Sequence, residues 1–321
     1  MIKVCAIGEI LIDFTPIGKS KNGNNIYEQN PGGGPANVSV ATSMLGIPTT
    51  FIGKAGNDGF GIALKKALIN KGVDVQGFVY SKDINTTLAF VHLDKNNDRS
   101  FSFYRKPGAD ITLTDKEVNY KLIDECELVH FSSVSLSDEP SRTTTINAIK
   151  YANKVGKLIS YDPNLRELLW ENLTIAKKVM YSMLQYADIL KVSEEELFFL
   201  TGEKNINKAC KIIQAQGIKL IFVTLGEKGA TYLYKNITNH HDTYKVNVVD
   251  TTGCGDAFMG AIIYKVISRD KKLEDISKSE LDDMNVFANM VGSLAATKQG
   301  GIPSMPSLAQ VNEFRMKVEK L

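Results

Sequence analysis

The sequence predicts an α/β fold in which a mostly parallel sheet carries helices on both faces and a small second β-sheet stands off it. Three observations predict this. Apolar strand-like runs alternate with helix-like segments along nearly the whole chain. Gly46, Gly72, Gly156 and Gly217 each close a helical pattern just ahead of an apolar strand start. One stretch breaks the alternation, with strand-like runs at 86–93 and 100–105 around a polar turn at 94–98.

The elements follow in order. A first strand over 3–8 ends in Glu9-Ile-Leu-Ile-Asp13, an apolar run closed by an acid. A loop, Asn30-Pro31-Gly32-Gly33-Gly34-Pro35-Ala36-Asn37, opens a helix over 36–45, and a second helix covers 59–71. The hairpin then puts Phe101 and Phe103 on one face, and with residues near 9–30 it makes the small sheet. Strands over 128–132, 158–161, 189–192, 220–224 and 230–234 alternate with helices near 141–155, 172–186 and 207–216. Helices near 256–268, 281–297 and 307–320 complete the chain. No linker, repeat or low-complexity segment divides it, so 1–321 reads as one domain with appended segments at about 9–30 and 84–105. In such sheets ligands sit beyond the strands' carboxyl ends. Asp13, Asp162, Ser193 and Gly226 are expected just past strand ends, converging on one crevice.

The most informative stretch is Asp250-Thr-Thr-Gly-Cys-Gly-Asp256, followed by an apolar helical run. Small residues let backbone N–H groups approach an anion, and a helix N-terminus adds partial positive charge. A carboxylate beside such a cradle suits the removal of a proton from a hydroxyl that attacks a phosphoryl group. Taken alone, the pattern favours an Asp capping a helix after a Gly-rich turn, because such caps are common. The second Gly-rich loop adds Asn37 in a first helical turn, and Asp13 with an amide nearby suits the paired hydroxyls of a polyol.

Composition sets the bounds. The chain of 321 residues is 43% hydrophobic and 23% charged, as in an ordinary globular protein. A net charge of +2 gives no nucleic-acid footprint. The N-terminal apolar run is interrupted by Glu9 and Asp13, so it reads as a strand and not a signal peptide; no run approaches the roughly 18 apolar residues of a membrane span. The scattered Cys5, Cys126, Cys210 and Cys254 suit free thiols in a reducing cytoplasm, and His92, His130, His240 and His241 lack zinc-ligand spacing. Asp13-x4-Gly18-Lys19-Ser20 approximates a P-loop but has Asp where the first glycine belongs. No Gly-x-Gly-x-x-Gly follows the first strand, which speaks against an NAD-dependent oxidoreductase.

On both glycine signatures the chain resembles the ribokinase-like (PfkB) carbohydrate kinases, the fructokinases most of all. Phe103-Tyr104-Arg105, Asp162-Pro163-Asn164-Leu165-Arg166, Lys191-Val192-Ser193-Glu194-Glu195-Glu196-Leu197 and Thr224-Leu225-Gly226-Glu227-Lys228-Gly229 carry the resemblance across the chain. It implies a ribokinase-like fold whose small sheet is a lid over a sugar. It also implies a cytoplasmic enzyme, a homodimer with clasped lids, binding neither nucleic acid nor membrane. Its substrates would be a sugar and ATP, its ions Mg2+ and K+. The implied reaction moves the γ-phosphate of ATP to O6 of fructose. Asp256 would be the general base, with the Gly253, Cys254 and Gly255 amides as anion hole. Asp13, Gly33, Asn37, Tyr104, Arg105 and Arg166 would hold the sugar. Ser193, Thr224, Gly226, Gly229 and Asn289 would hold the nucleotide, and Glu196 would order magnesium through water. Asp250, Thr252, Ala295, Lys298, Gly300 and Ser304 would supply a potassium site. The same resemblance admits ribose, aminoimidazole riboside or 2-keto-3-deoxygluconate as acceptor, or a catalytically silent sugar sensor. Two residues depart from common family usage: Cys254 replaces an alanine, and Ser193 stands where ribokinases often carry asparagine.

Overall fold

The computed structural model describes residues 2–93, 99–269 and 271–318. The predicted turn at 94–98 and the final residues of the helix predicted over 307–320 lie outside them. Among the described residues no helix is long and apolar enough to cross a membrane.

The chain runs β1 (Val4–Ile7), β2 (Leu11–Lys19), β3 (Asn25–Gly32), α1 (Gly34–Met44), β4 (Thr49–Gly56), α2 (Gly59–Asn70), β5 (Asp74–Ser81), β6 (Leu88–Leu93) and β7 (Arg99–Tyr104). It continues through α3 (Tyr120–Glu125), β8 (Leu128–Ser132), α4 (Ser141–Lys154), β9 (Leu158–Asp162), α5 (Leu173–Met183), β10 (Ile189–Ser193), α6 (Glu194–Thr201), α7 (Ile206–Gln214) and β11 (Leu220–Thr224). It ends with β12 (Ala230–Tyr234), β13 (Ile237–His241), α8 (Cys254–Ile267), α9 (Lys278–Ala295), α10 (Gly301–Ser304) and α11 (Leu308–Val318).

The large sheet has the order β13-β12-β11-β10-β9-β8-β1-β4-β5 and is parallel from β11 to β5. Both its faces are covered. Along β1, Val4 and Ala6 enter one core while Cys5 and Ile7 enter the other. This is why parallel strands read as unbroken apolar runs. Residues of α1, α8 and α9 pack one face, and residues of α4, α5 and α7 pack the other.

The helices begin and end where the side chains dictate. Asp58, Asn172 and Asn205 cap the N-termini of α2, α5 and α7 through side-chain acceptors. Ser193 with Glu196 and Ser277 with Glu280 form reciprocal capping boxes on α6 and α9. One close packing matters most for the site. A Cβ on Gly260 would stand 2.5 Å from the Ala41 Cβ, so only a bare glycine lets α8 lie this tightly on α1.

The small sheet is β3-β2-β6-β7, as the sequence predicts. It corrects the placement of Asp13, which does not follow the end of β1. Asp13 lies inside β2, in register with Asn30 of β3. The apolar run Ile10–Ile12 is buried because it carries the chain from the large sheet into the small one.

Candidate active site

A cavity of about 450 Å³ lies between the two sheets. Its floor is the start of α8. Gly253 takes the left-handed conformation at φ 80°, which turns the backbone into the helix; Cys254, Gly255 and Asp256 are the first helical residues. Gly253 and Gly255 face the cavity with bare Cα atoms, and the 14-residue helix directs its positive end there.

Asp256 is half-buried beside them. Its Oδ2 accepts a 2.8 Å hydrogen bond from Asn37 Nδ2. The packing of α1 on α8 makes that contact. The Asp256 carboxyl is pushed up to about 6 by burial and by the negative charge of Asp162, while Lys191, Asn37 and Arg166 pull it back.

The opposite wall comes from the loop ahead of α1. Gly33 sits at φ 114°, and a Cβ there would stand 2.5 Å from the Glu9 carbonyl oxygen. The Gly33 carbonyl accepts the Asn37 N–H at 2.8 Å, so the loop aims Asn37. Asp13 lines the same wall. Burial raises its carboxyl to about 7, with Asp250 and Asp256 adding and Arg166 opposing. Arg166 also lines the cavity, and Phe101 and Phe103 close it from the small sheet.

The structure does not bring Tyr104 and Arg105 to the cavity. Tyr104 is 66% exposed. The period of two along β7 decides this, because Phe101 and Phe103 share the face that meets the cavity and Tyr104 takes the other. Arg105 is buried behind the wall. Its guanidinium donates from Nε to Asp110 Oδ2 at 2.8 Å, from Nη1 to Ser137 at 2.7 Å and from Nη2 to the Val134 carbonyl at 3.2 Å. It supports the wall that Val134 lines and leaves the cavity to other groups.

Four lining residues with polar side chains escaped the sequence reading. Glu9 is buried; it accepts from Gly34 N–H at 2.9 Å and from the hydroxyls of Ser132 and Ser135 at 3.1 and 2.8 Å. Asn164 lines the cavity in a left-handed conformation at φ 46°, and Thr251 lines it beside Gly253. Lys191 is buried in β10 and pairs with Asp162 at 2.8 Å. The available signals were a Lys inside an apolar strand and an acid ending a buried one, both rare unless paired.

Ser193 and Glu196 line the cavity from the β10–α6 junction. Glu196 is buried, although the acidic run Glu194–Glu196 reads equally as a solvated face. Its Oε1 accepts Leu165 N–H at 2.7 Å and its Oε2 accepts Ser193 N–H at 2.9 Å. Thr224, Gly226, Gly229 and Asn289 do not line this cavity. Two of them converge elsewhere on the His241 carbonyl: Asn289 Nδ2 donates to it at 3.2 Å, and any Cβ on Gly229 would collide with it.

The predicted cation residues are partly gathered around Asp250. Its Oδ1 accepts Thr252 N–H at 2.8 Å and its Oδ2 accepts Gly300 N–H at 3.0 Å. The Ala295 carbonyl accepts Lys298 N–H at 3.1 Å, and the buried Ser304 hydroxyl donates to the Gly301 carbonyl at 2.8 Å. Among the described residues no three His, Cys, Asp or Glu side chains converge as a metal cage.

An amide cradle, a half-buried carboxylate with a raised pKa and a wall of carboxylate and amide groups thus share one cavity. Comparison with known proteins shows the family to which the chain belongs. The model of the pfkB family carbohydrate kinases matches residues 1–308. Fructokinase-1 from Oryza sativa subsp. japonica is 42% identical over 311 residues, 96% of this chain and 96% of that protein. The solved fructokinase with bound ATP from Xylella fastidiosa superposes with a TM-score of 0.90 at 31% identity, covering 99% of this chain and 100% of that one. A double-mutant fructokinase from Vibrio cholerae O395, with fructose, ADP and potassium ion bound, gives 0.88 at 33% identity and 98% coverage of both chains.

Proposed function

The chain belongs to the pfkB family of carbohydrate kinases and is an ATP-dependent sugar kinase; on that premise we propose that it is a fructokinase acting on O6 of fructose, with Asp256 as general base. The observation that carries the residue assignment is Asp256 held by Asn37 at the start of α8, in the same cavity as the bare Gly253 and Gly255.

In this reading Asp13, Asn37 and Arg166 position the sugar so that its primary hydroxyl meets the Asp256 carboxylate. Asp256 takes the hydroxyl proton as the oxygen attacks the γ-phosphorus. The Gly253, Cys254 and Gly255 amides, with the dipole of α8, face the negative charge that develops on the transferred group. Phe101 and Phe103 exclude water from the reacting atoms. Magnesium, when bound, neutralises the phosphate charge. Glu196 at the cavity edge would hold that ion through water, as suits an ion that keeps several waters and phosphate oxygens as ligands. Ser193 flanks the nucleotide, with Thr224, Gly226, Gly229 and Asn289 further along the sheet. Asp250, Thr252, Ala295, Lys298, Gly300 and Ser304 are the proposed potassium ligands, largely through carbonyl oxygens, which suit a hard cation. A reducing cytoplasm suits the four unbridged cysteines.

The test is one acceptor panel with Mg-ATP, scored by coupled ADP release and run in potassium and in sodium at equal ionic strength. Fructose is expected to give the highest kcat/KM among fructose, ribose, aminoimidazole riboside and 2-keto-3-deoxygluconate, and potassium the faster rate. A far better ribose or riboside sinks the fructose assignment and spares the kinase. Equal rates in both salts remove the potassium site.

The small sheet leaves Ile17, Ile26 and Tyr104 exposed. A homodimer that clasps two such sheets would cover them. Light scattering at micromolar concentration is expected to return twice the chain mass, and a monomer there discards the clasp.

A further inference from the structure

The proton transfer proposed above leaves one pair of buried charges without a task. Lys191 and Asp162 stand on adjacent strands of the sheet under the cavity floor, 2.8 Å apart and nearly inaccessible to solvent. A buried ion pair is costly to desolvate, and apolar residues of similar volume generally stabilise a core as well. Geometry ties this pair to the site. Lys191 lines the cavity, and its Nζ lies only 2.7 Å from where a Cβ on Gly255 would be. The ammonium is therefore packed against the residue that precedes Asp256. Asp162 holds it there with one oxygen, while the other, also buried, makes no hydrogen bond.

We infer that Lys191 is a positioning residue that acts through Asp256, its ammonium, pinned by Asp162, keeping the proton acceptor ionised as substrate enters the cavity. The inference rests on the reading of Asp256 as the base. Asp256 is faced by Asp162 at the end of β9, by Lys191 of β10, by Arg166 beyond β9 and by the neutral Asn37 of α1. Asp13 of β2 and Asp250, ahead of α8, stand further along the same wall. Lys191 is faced by Asp162, by Glu196 of α6 and by Asp256. His130 of β8 is buried nearby, and burial together with the Lys191 charge depresses it to about 3, so it stays neutral. Around Asp256 the two members of the pair pull in opposite directions: Asp162 favours the protonated acid and Lys191 the carboxylate.

That opposition gives a signature that a merely structural pair does not produce. The experiment measures kcat/KM against pH for the full-length enzyme, Lys191→Met, Asp162→Asn and Asp256→Asn, with far-UV circular dichroism and thermal melts on each. In Lys191→Met the acid limb is expected to move up by about one pH unit or more, the usual effect of losing a nearby opposite charge. Activity is then depressed several-fold near neutrality and recovers at high pH. In Asp162→Asn the limb is expected to move down, and that arm decides the matter if Lys191→Met fails to fold. Limbs that coincide in all folded variants, or a Lys191→Met loss that is flat with pH, overturn the inference. Asp256→Asn separates the two readings: if it retains turnover the assignment of the base fails, whereas a dead Asp256→Asn with unmoved limbs sinks the Lys191 role alone.

Discussion

Replacing Asp256 with asparagine is expected to lower kcat by about 10²- to 10⁴-fold while fructose and ATP still bind, the range for a lost general base. The substitution is nearly isosteric, and an amide oxygen still accepts from Asn37, whose 2.8 Å bond sets the geometry of the pair. Ground-state binding should survive because the cradle is backbone and the wall is untouched. On the proposed mechanism only the proton acceptor is lost. The sign of the pH dependence follows from the raised carboxyl. With its pKa near 6, the wild-type carboxylate is increasingly protonated below that value, so kcat/KM falls as pH falls through it. In the asparagine variant that limb should vanish along with the rate. A variant that turns over near normally would remove Asp256 from the mechanism.

Gly33→Ala is expected to raise the KM for fructose by roughly 10- to 100-fold and leave the KM for ATP much less affected. Two costs combine at this position. Alanine at φ 114° is strained, and its Cβ would meet backbone atoms of Glu9 and Ile10, which cannot swing aside as a side chain can. Strain of about 1–3 kcal/mol at such a site is usual, and each ~1.4 kcal/mol transferred to binding is tenfold. The loop relieves it by moving, and since the Gly33 carbonyl holds the Asn37 amide, the sugar wall moves with it. Steady-state kinetics with each substrate varied in turn checks this, with a thermal melt to confirm folding. An unchanged fructose KM would place the sugar elsewhere.

The parallel strands in the middle of the sheet were legible because they are buried on both faces and read as plain apolar runs. The starts of β4 and β5 were signalled by Gly46 and Gly72, but the strands themselves were not delimited. Thr49–Gly56 holds two glycines and a lysine, which interrupt the apolar pattern. In the structure Gly53 is bare because the Gly8 carbonyl and the Phe51 ring crowd it, and Lys54 is satisfied by Glu117 at 2.7 Å. The Gly8 carbonyl and the Glu117 carboxylate both come from distant parts of the chain. Helix α6 was missed although Ser193 and Glu196 spell a capping box; the acidic run hid it. The two glycine signatures were legible because close backbone approach leaves little choice of residue. Arg105 was not. Its partner Asp110 is only five residues away, but nothing local says that the pair turns behind the wall. Lys191 escaped for the same reason: the charge that makes it conspicuous in a strand is explained only by Asp162 on the neighbouring strand.

The hydrogen bond between Asn37 and Asp256 joins groups 219 residues apart in sequence. Contacts of such long range close late, since the intervening chain must be ordered first. On the ribosome the sugar wall and most of the sheet emerge well before α8 does. On the proposed mechanism a nascent chain holds one half of the reaction centre with no acceptor for the proton, and is expected to transfer no phosphate until the last fifth of the polypeptide has been made and has docked. In refolding, catalytic competence should lag behind the recovery of helical signal for the same topological reason.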